Sequence, residues 1–257
     1  MLMNTKRLLP KVSIITVVYN AVDTIENTIQ SVIEQTYPNI EYIIIDGGST
    51  DGTYEIIERY RSNISVIVSE RDKGIADAFN KGIALATGEW IGMINADDWY
   101  AYNAVERMIT NVTANDVICC GDLTLIGENG YAECKKSKVS WLNLGMYIMH
   151  PTCFIRREVY RNVGLYDTSL KIATDFDMFL RIKGAGYKIR YIKEMLAFMR
   201  TGGASSDVIN MHREELTVMR RHLHNLSYWA SASFNYLNRL RWRFFYNSPF
   251  ADTKYDI

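Results

Sequence analysis

Residues 12–46 read VSIITVVYNAVDTIENTIQSVIEQTYPNIEYIIID. Val12–Val18 is a continuous apolar and β-branched run. A strand covered on both faces needs such a run, because neither side meets water. From Ile25 the period changes. Ile25, Ile29, Val32 and Ile33 recur on one face of a helix, and Asp23 with Glu26 has the spacing of a capping box. Pro38 closes that segment, and Glu41–Asp46 is a second buried strand ending in an acid. Strand, helix and strand in this order predict a parallel crossover unit.

The alternation continues on both sides of the Gly47–Gly52 turn, which reads GGSTDG. A helix is expected over Thr53–Tyr60, a strand near Ser65–Ser69, and a helix over Ile75–Ala86 ended by Gly88. Trp90–Ile94 reads as a strand, Tyr102–Ile109 as a short helix and Asp116–Cys120 as a strand. The pattern implies an α/β fold, with a mostly parallel sheet flanked by helices on both faces. Ligands in such folds bind beyond the C-terminal ends of the strands. Asn20, Asp46–Asp51, Arg71–Asp77 and Asn95–Asp98 all fall there.

The second half is less periodic. Gly121–Glu133 reads as a hairpin turning at Glu128-Asn129-Gly130, Thr152–Ile155 as a strand, and Asp175–Ile182 as a helix ended by Gly184. After Asp207 the chain becomes helical through Leu216, Met219, Leu223 and Leu226. The expected division is a domain over 1–206 and a helical, aromatic and basic extension over 207–257.

Composition narrows the function. The 257 residues carry 29 basic and 29 acidic side chains, with 48% hydrophobic and 23% charged residues. The chain therefore lacks the basic excess of a nucleic-acid binder. Cys119, Cys120, Cys134 and Cys153 form no CxxC pair and are expected as reduced, buried thiols. No apolar run reaches the roughly 18 residues of a spanning helix, so a soluble or peripheral protein is expected. The C-terminal end is biased by Arg213, Arg220, Arg221, Arg239, Arg241 and Arg243, interleaved later with aromatics such as Trp229, Phe234 and Trp242. Two readings stand: a surface lying on an anionic bilayer, or an arm packed on its own domain or on a sister subunit.

Asp97 and Asp98 are the sharpest chemical signal. Adjacent carboxylates at a strand end repel one another, and a divalent cation with a bound diphosphate supplies the counter-charge; oxygen ligands suit Mg²⁺ or Mn²⁺. A solvated strand end with a helix cap is the plainer alternative. Asp46 emerges from its strand and could accept a hydrogen bond from a base or sugar, or simply bond the turn that follows. GGSTDG is neither a P-loop nor a GxGxxG fingerprint, which argues against ATP hydrolysis and NAD binding. Arg71 and Lys73, ahead of a helix start, could meet phosphates, or could belong to a solvated loop. Asp77 and Asn80 share one helix face. Asp175 opens a helix, where the N-terminal field would favour its ionised, basic form, or where it could merely cap the helix. His150, in MHPTCF, could be a third metal ligand, contact a phosphate, or be structural.

Taken together, VSIITVVYNA, IEYIIIDGGSTDGT, ERDKGIADAFNKGIALATGEWIGMINADD and MHPTCFIRREVYRNVGLYDTSL…ATDFDMFLR closely resemble a bacterial family-2 glycosyltransferase of the GT-A fold, the type used in O-antigen, lipopolysaccharide, capsule and exopolysaccharide assembly. The similarity covers roughly Pro10 to Ser206. It implies that Thr16, Val18, Asn20 and Asp46 hold the nucleotide base, and that Arg71 and Asp72 lie along ribose and diphosphate. It implies Asp97 near ribose and metal, Asp98 as direct ligand of Mn²⁺ or Mg²⁺, and Asp175 as catalytic base. Related enzymes carry Glu-Asp where this chain has Thr174-Asp175, and the Gln-x-x-Arg-Trp motif of processive members is absent. The implied reaction is inverting transfer of one sugar per encounter, from a UDP-hexose, UDP-N-acetylhexosamine or other nucleotide donor. The implied acceptor is a lipid-linked saccharide at the inner face of the plasma membrane. A nucleotidyltransferase would want a Gly-rich basic loop after the first strand, which YNAVDTIEN lacks. A non-catalytic nucleotide-sugar-binding subunit is the remaining alternative.

Overall fold

The structure is a computed structural model and describes residues 9–127, 130–202, 208–224 and 228–234. Its first half follows the sequence closely. Strands β1 (Val12–Val18), β2 (Ile40–Asp46), β3 (Val66–Ser69) and β4 (Trp90–Asn95) lie side by side in the order β3-β2-β1-β4, all parallel. Between them run α1 (Ile25–Ile33), α2 (Thr53–Arg59) and α3 (Ile75–Leu85). Alternate strand residues feed opposite cores, as the two-residue period of a strand requires. Ile15, Val17, Ile43 and Ile45 share one cluster with Phe79 and Ile83 of α3. Val12, Ile14, Val18 and Ile44 share the other with Ile25 and Ile29 of α1 and Ile57 of α2.

Register is what builds the site. Val18 pairs with Asp46, Asp46 with Ser69, and Val17 with Asn95, so the C-terminal ends of the four parallel strands finish on one rim.

Beyond β4, the chain adds β5 (Trp99–Tyr100), α4 (Ala104–Asn111), β6 (Ile118–Ile126), β7 (Ala132–Lys135), β8 (Phe154–Arg156) and α5 (Arg157–Val163). It ends with α6 (Thr174–Gly184), β9 (Arg190–Arg200) and α7 (Val208–His222), before a helical stretch at 228–234. The sheet extends as β4-β8-β6-β9-β5, with β8 antiparallel to both neighbours and β9 parallel to β6.

Several expectations are corrected. The capping box of Asp23 and Glu26 does not form: Thr24 is the N-cap without a side-chain bond, and Ala21 O accepts the N–H groups of Thr24 and Ile25 instead. The strand at 116–120 and the first arm of the hairpin are one strand, β6, whose partner β7 pairs Ile126 with Ala132; Glu128 and Asn129 of the expected turn lie outside the described residues. Cys134 is exposed, while Cys119, Cys120 and Cys153 are buried, and all four are free thiols. Val218 and Met219 of α7 are fully buried in the same core as α3 and α6, so this helix is continuous with the packing of the main domain. No helix among the described residues is long and apolar enough to cross a membrane. The aromatic and basic stretch after residue 234, on which the bilayer reading rests, lies outside the described residues.

Candidate active site

Two cavities open along the rim. The first, about 620 Å³, is lined by Val18, Tyr19, Asn20, Asp51, Asp72 and Asp97, among others. The second, about 360 Å³, takes in Asp97, Asp98, His150, Asp175, Arg200 and Glu215. Ile75, Asn95 and Asp97 line both. A larger space therefore adjoins a smaller one across the Asn95–Asp98 turn.

Side-chain hydrogen bonds fix the loops of the first cavity. Asn20, in the left-handed region at φ 48°, accepts the Thr50 N–H at its Oδ1 (2.9 Å) and donates its own N–H to Ser49 Oγ (2.8 Å). Thr53 Oγ1 and Asp51 Oδ2 accept the N–H groups of Ala21 and Val22. The loops after β1 and β2 are thus stitched together. Tyr19, 64% exposed, stands in this cavity as an aromatic face that sequence reading passed over.

Asp46 does something other than face the cavity. Its side chain is fully buried and accepts bonds from Ser49 Oγ (2.5 Å), Ser49 N–H (3.1 Å) and Ser69 Oγ (2.6 Å). Both oxygens are engaged in holding the turn to β3. Thr16 is likewise buried, its Oγ1 3.1 Å from the Tyr42 hydroxyl. Arg71 is exposed and lines neither cavity; its carbonyl accepts a bond from Lys81. Asp72, unlike Asp46 and Arg71, does line the first cavity. Its Oδ2 lies 2.5 Å from where a Cβ on residue 47 would stand, so any side chain there would push this carboxylate aside. Asp72 Oδ1 accepts the Gly74 N–H (2.8 Å) at the start of α3.

The Asn95–Asp98 turn is held from below by α1. Thr28 Oγ1, fully buried, lies 2.9 Å from Ala96 O and 2.6 Å from Asp98 O. Asp98 is 1% exposed, and its Oδ1 accepts the Arg200 N–H (3.3 Å). Burial, then the neighbouring charge of Asp97, pushes its carboxyl well above the usual range; Arg200 offsets this in part. A carboxyl in that position is neutral on its own and ionises only with a positive partner beside it. The available donors are the Asp97 and Asp98 carboxylates and the buried, unpartnered Oδ1 of Asn95, all oxygen. Among the described residues no cluster of three or more His, Cys, Asp or Glu side chains could hold a metal alone. One or two carboxylates completed by phosphate oxygens and water is the ordinary arrangement for Mg²⁺, so the residues fit a cation shared with a ligand.

His150 lines the second cavity, but its Nε2 lies 3.1 Å from the Tyr166 hydroxyl and its ring packs 5.4 Å from Phe79. Burial lowers its pKa to about 4. This pairing favours the structural reading of His150.

Asp175 sits in the first turn of α6, its Oδ1 accepting the Phe176 N–H (2.7 Å). Burial raises its pKa to about 7, and the charge of Glu215 adds to this. The helix N-terminus would act the other way, so desolvation wins over the helix field. A carboxyl poised near neutrality in a cavity is suited to general base catalysis. Sequence reading also missed Glu214: its carboxylate accepts the N–H groups of Lys171, Ile172 and Ala173, the peptides leading into α6. No spacing could have shown this, because α7 lies 41–43 positions downstream.

The model of the family described as "Glycosyl transferase family 2" matches residues 13–164, more than half of the chain. The chain belongs to glycosyl transferase family 2. The matched segment contains both aspartates of the Asn95–Asp98 turn, whereas Asp175, Arg200 and α7 lie beyond it. A "PGL/p-HBAD biosynthesis glycosyltransferase" of Mycobacterium tuberculosis is 26% identical over 209 residues, covering 78% of this chain and 81% of the relative. Among solved structures, a mannosyltransferase of Pyrobaculum calidifontis in complex with GDP-Man and Mn²⁺ superposes with a TM-score of 0.70 at 19% identity, covering 90% and 71% of the two chains. TarS 1–349 of S. aureus in complex with UDP gives 0.67 at 17% identity, covering 94% and 76%. At these identities the structures establish the GT-A fold of this family-2 glycosyltransferase.

Proposed function

We propose that this glycosyltransferase moves one sugar per encounter, with inversion, from a nucleoside diphosphate donor to a hydroxyl of a lipid-linked saccharide in cell-surface polysaccharide synthesis. The observation that carries the reading is the adjacency of the two cavities across Asp97 and Asp98, with Asp175 in the second. The base and ribose occupy the first cavity, against Tyr19, Val18, Asn20 and Asp72, and the acceptor enters the second. Asp175, ionised above about pH 7, takes the proton of the acceptor hydroxyl. The acceptor oxygen bonds to the anomeric carbon from one side. The bond from that carbon to the diphosphate oxygen breaks on the other, and the nucleoside diphosphate leaves with the bonding pair. Asp98, with Asp97, would hold Mn²⁺ or Mg²⁺; when bound, that cation supplies positive charge at the departing diphosphate. Support for a nucleotide donor comes from the folds determined with GDP-Man and with UDP. UDP-hexose and UDP-N-acetylhexosamine are the first donors to try.

A panel of nucleotide-sugars, screened for cation-dependent binding and slow hydrolysis, tests the reading. Asp98→Ala should abolish the cation dependence, and an unchanged cation-dependent rate in this variant would overturn the assignment. The basic, aromatic C-terminal sequence is proposed to hold the enzyme on the inner membrane face. Sedimentation with anionic liposomes, lost on truncation after Asn225, is the expected result; no sedimentation of the intact chain refutes it.

A further inference from the structure

We infer that Arg200 is the protein cation that receives the donor's diphosphate, a role the sequence assigned to Arg71; the inference rests on the donor reading above. Arg200 ends β9, where its register partner is Ile126 of β6. The following N–H, of Thr201, still bonds to Ile126 O (3.0 Å), so the backbone on both sides is fixed by the sheet. The guanidinium carbon lies 4.5 Å from the centre of the Trp99 ring, and Trp99 is itself stacked on Phe198 at 5.2 Å and 12°. One face of the guanidinium is therefore covered, and its orientation is set by the two strands that carry these rings. Its backbone N–H is held on Asp98 Oδ1. The side chain lines the same cavity as Asp97, Asp98 and Asp175.

The decisive detail is Nε. It is buried and has no hydrogen-bond partner among the described residues. A charged donor left unpaired is costly, and the guanidinium to which it belongs lines the cavity where a ligand's acceptors would arrive. A guanidinium held by a stack presents a planar fork of donors, which matches two oxygens of a phosphate better than a single hydroxyl. Charge argues the same way. The Asp97 and Asp98 carboxylates repel a phosphate, so a diphosphate in this cavity needs a positive partner from the protein itself. Arg200 is beside those carboxylates, whereas Arg71 lines neither cavity. In the transfer step the departing diphosphate gains negative charge, and a fixed guanidinium at that place stabilises it without reorganising.

The test compares Arg200→Ala and Arg200→Lys with the wild type, using inorganic pyrophosphate with Mn²⁺, UDP, GDP and the matching monophosphates as probes in titration calorimetry. Arg200→Ala should weaken pyrophosphate and the diphosphates by at least about tenfold and the monophosphates much less. Arg200→Lys, which keeps charge and loses the fork, should fall between. Quenching of Trp99 emission on pyrophosphate binding should disappear in both a Trp99→Phe control and Arg200→Ala. Wild-type binding of pyrophosphate through Arg200, without binding of any nucleoside diphosphate, would uphold this anion site while refuting the nucleotide-donor reading. Equal weakening of mono- and diphosphates in Arg200→Ala, or unchanged pyrophosphate affinity in a variant with wild-type melting, would overturn the inference.

Discussion

Replacing Asp175 by Asn should raise stability at alkaline pH and remove turnover at the same time. Burial raises the Asp175 pKa from 3.8 to about 7. The proton is thus held in the folded protein across a range where the unfolded chain has released it. The stabilisation from the protonated carboxyl is complete below about pH 4, declines as pH rises, and is gone above about pH 7. A difference of roughly 3 pKa units corresponds to an upper bound of about 4 kcal/mol of charge-burial cost carried by the ionised enzyme. Asparagine never ionises, and its Oδ1 can still accept the Phe176 N–H. At about 2–4 °C per kcal/mol for a chain of this size, a rise of several degrees in Tm is expected at pH 8, with little change at pH 4.5. The measurement is thermal unfolding of both proteins at the two pH values, without cation or nucleotide. In parallel, turnover should fall by about 10²-fold or more with donor affinity retained, and wild-type kcat/KM should rise through a limb near pH 7. A variant no more stable at pH 8 than the wild type, or a difference independent of pH, would refute the argued cost of the charge; wild-type turnover would refute the base.

Glu215→Gln should move that acid limb to lower pH, because the Glu215 charge adds to burial in raising Asp175; a limb that stays in place or rises shows that Glu215 does not act on it. Asp46→Ala should cost roughly 1–3 kcal/mol in denaturant unfolding by leaving the Ser49 and Ser69 donors without their acceptor. Its effect should appear as stability rather than as changed preference between nucleotides, and altered base preference with intact stability would restore Asp46 as a base contact. Gly47→Ala should displace the Asp72 carboxylate and weaken nucleotide binding several-fold in calorimetry, whereas unchanged affinity would remove Asp72 from the donor cavity.

The parallel half of the fold was legible because its strands are buried on both faces and therefore read as uninterrupted apolar runs. β9 was not. Register shifts opposite Asp122 break its alternation, so Arg190–Arg200 shows neither a strand nor a helix period. α5 follows β8 without a connecting loop, and β5 has only two residues, too few for any pattern. The candidate site divides in the same way. Acids at strand ends could be found, since strand ends can. Whether a given acid faces a cavity or its own turn depends on neighbours: Asp46 is taken by Ser49 and Ser69, while Asp72 bonds Gly74 through one oxygen and extends the other over Gly47. Arg200, Glu214 and Glu215 approach from elements distant in sequence, where only the folded chain brings them to Asp98 and Asp175.

The grip of Glu214 on the peptides before Asp175 decides where this chain can be cut and rejoined. Hybrid enzymes that exchange C-terminal arms between relatives would naturally be spliced near residue 206, where the motif-bearing segment ends. Such a splice discards the carboxylate that orders residues 171–173 and leaves their N–H groups to water. A junction after His222 keeps that carboxylate, and also the bonds of Arg221 to Asp167 (2.9 Å) and of His222 to Asp177 (2.7 Å), within one parent. The unit held together by these bonds is therefore longer than the segment that carries the motifs, and α7 belongs with the helix that presents Asp175 rather than with the arm.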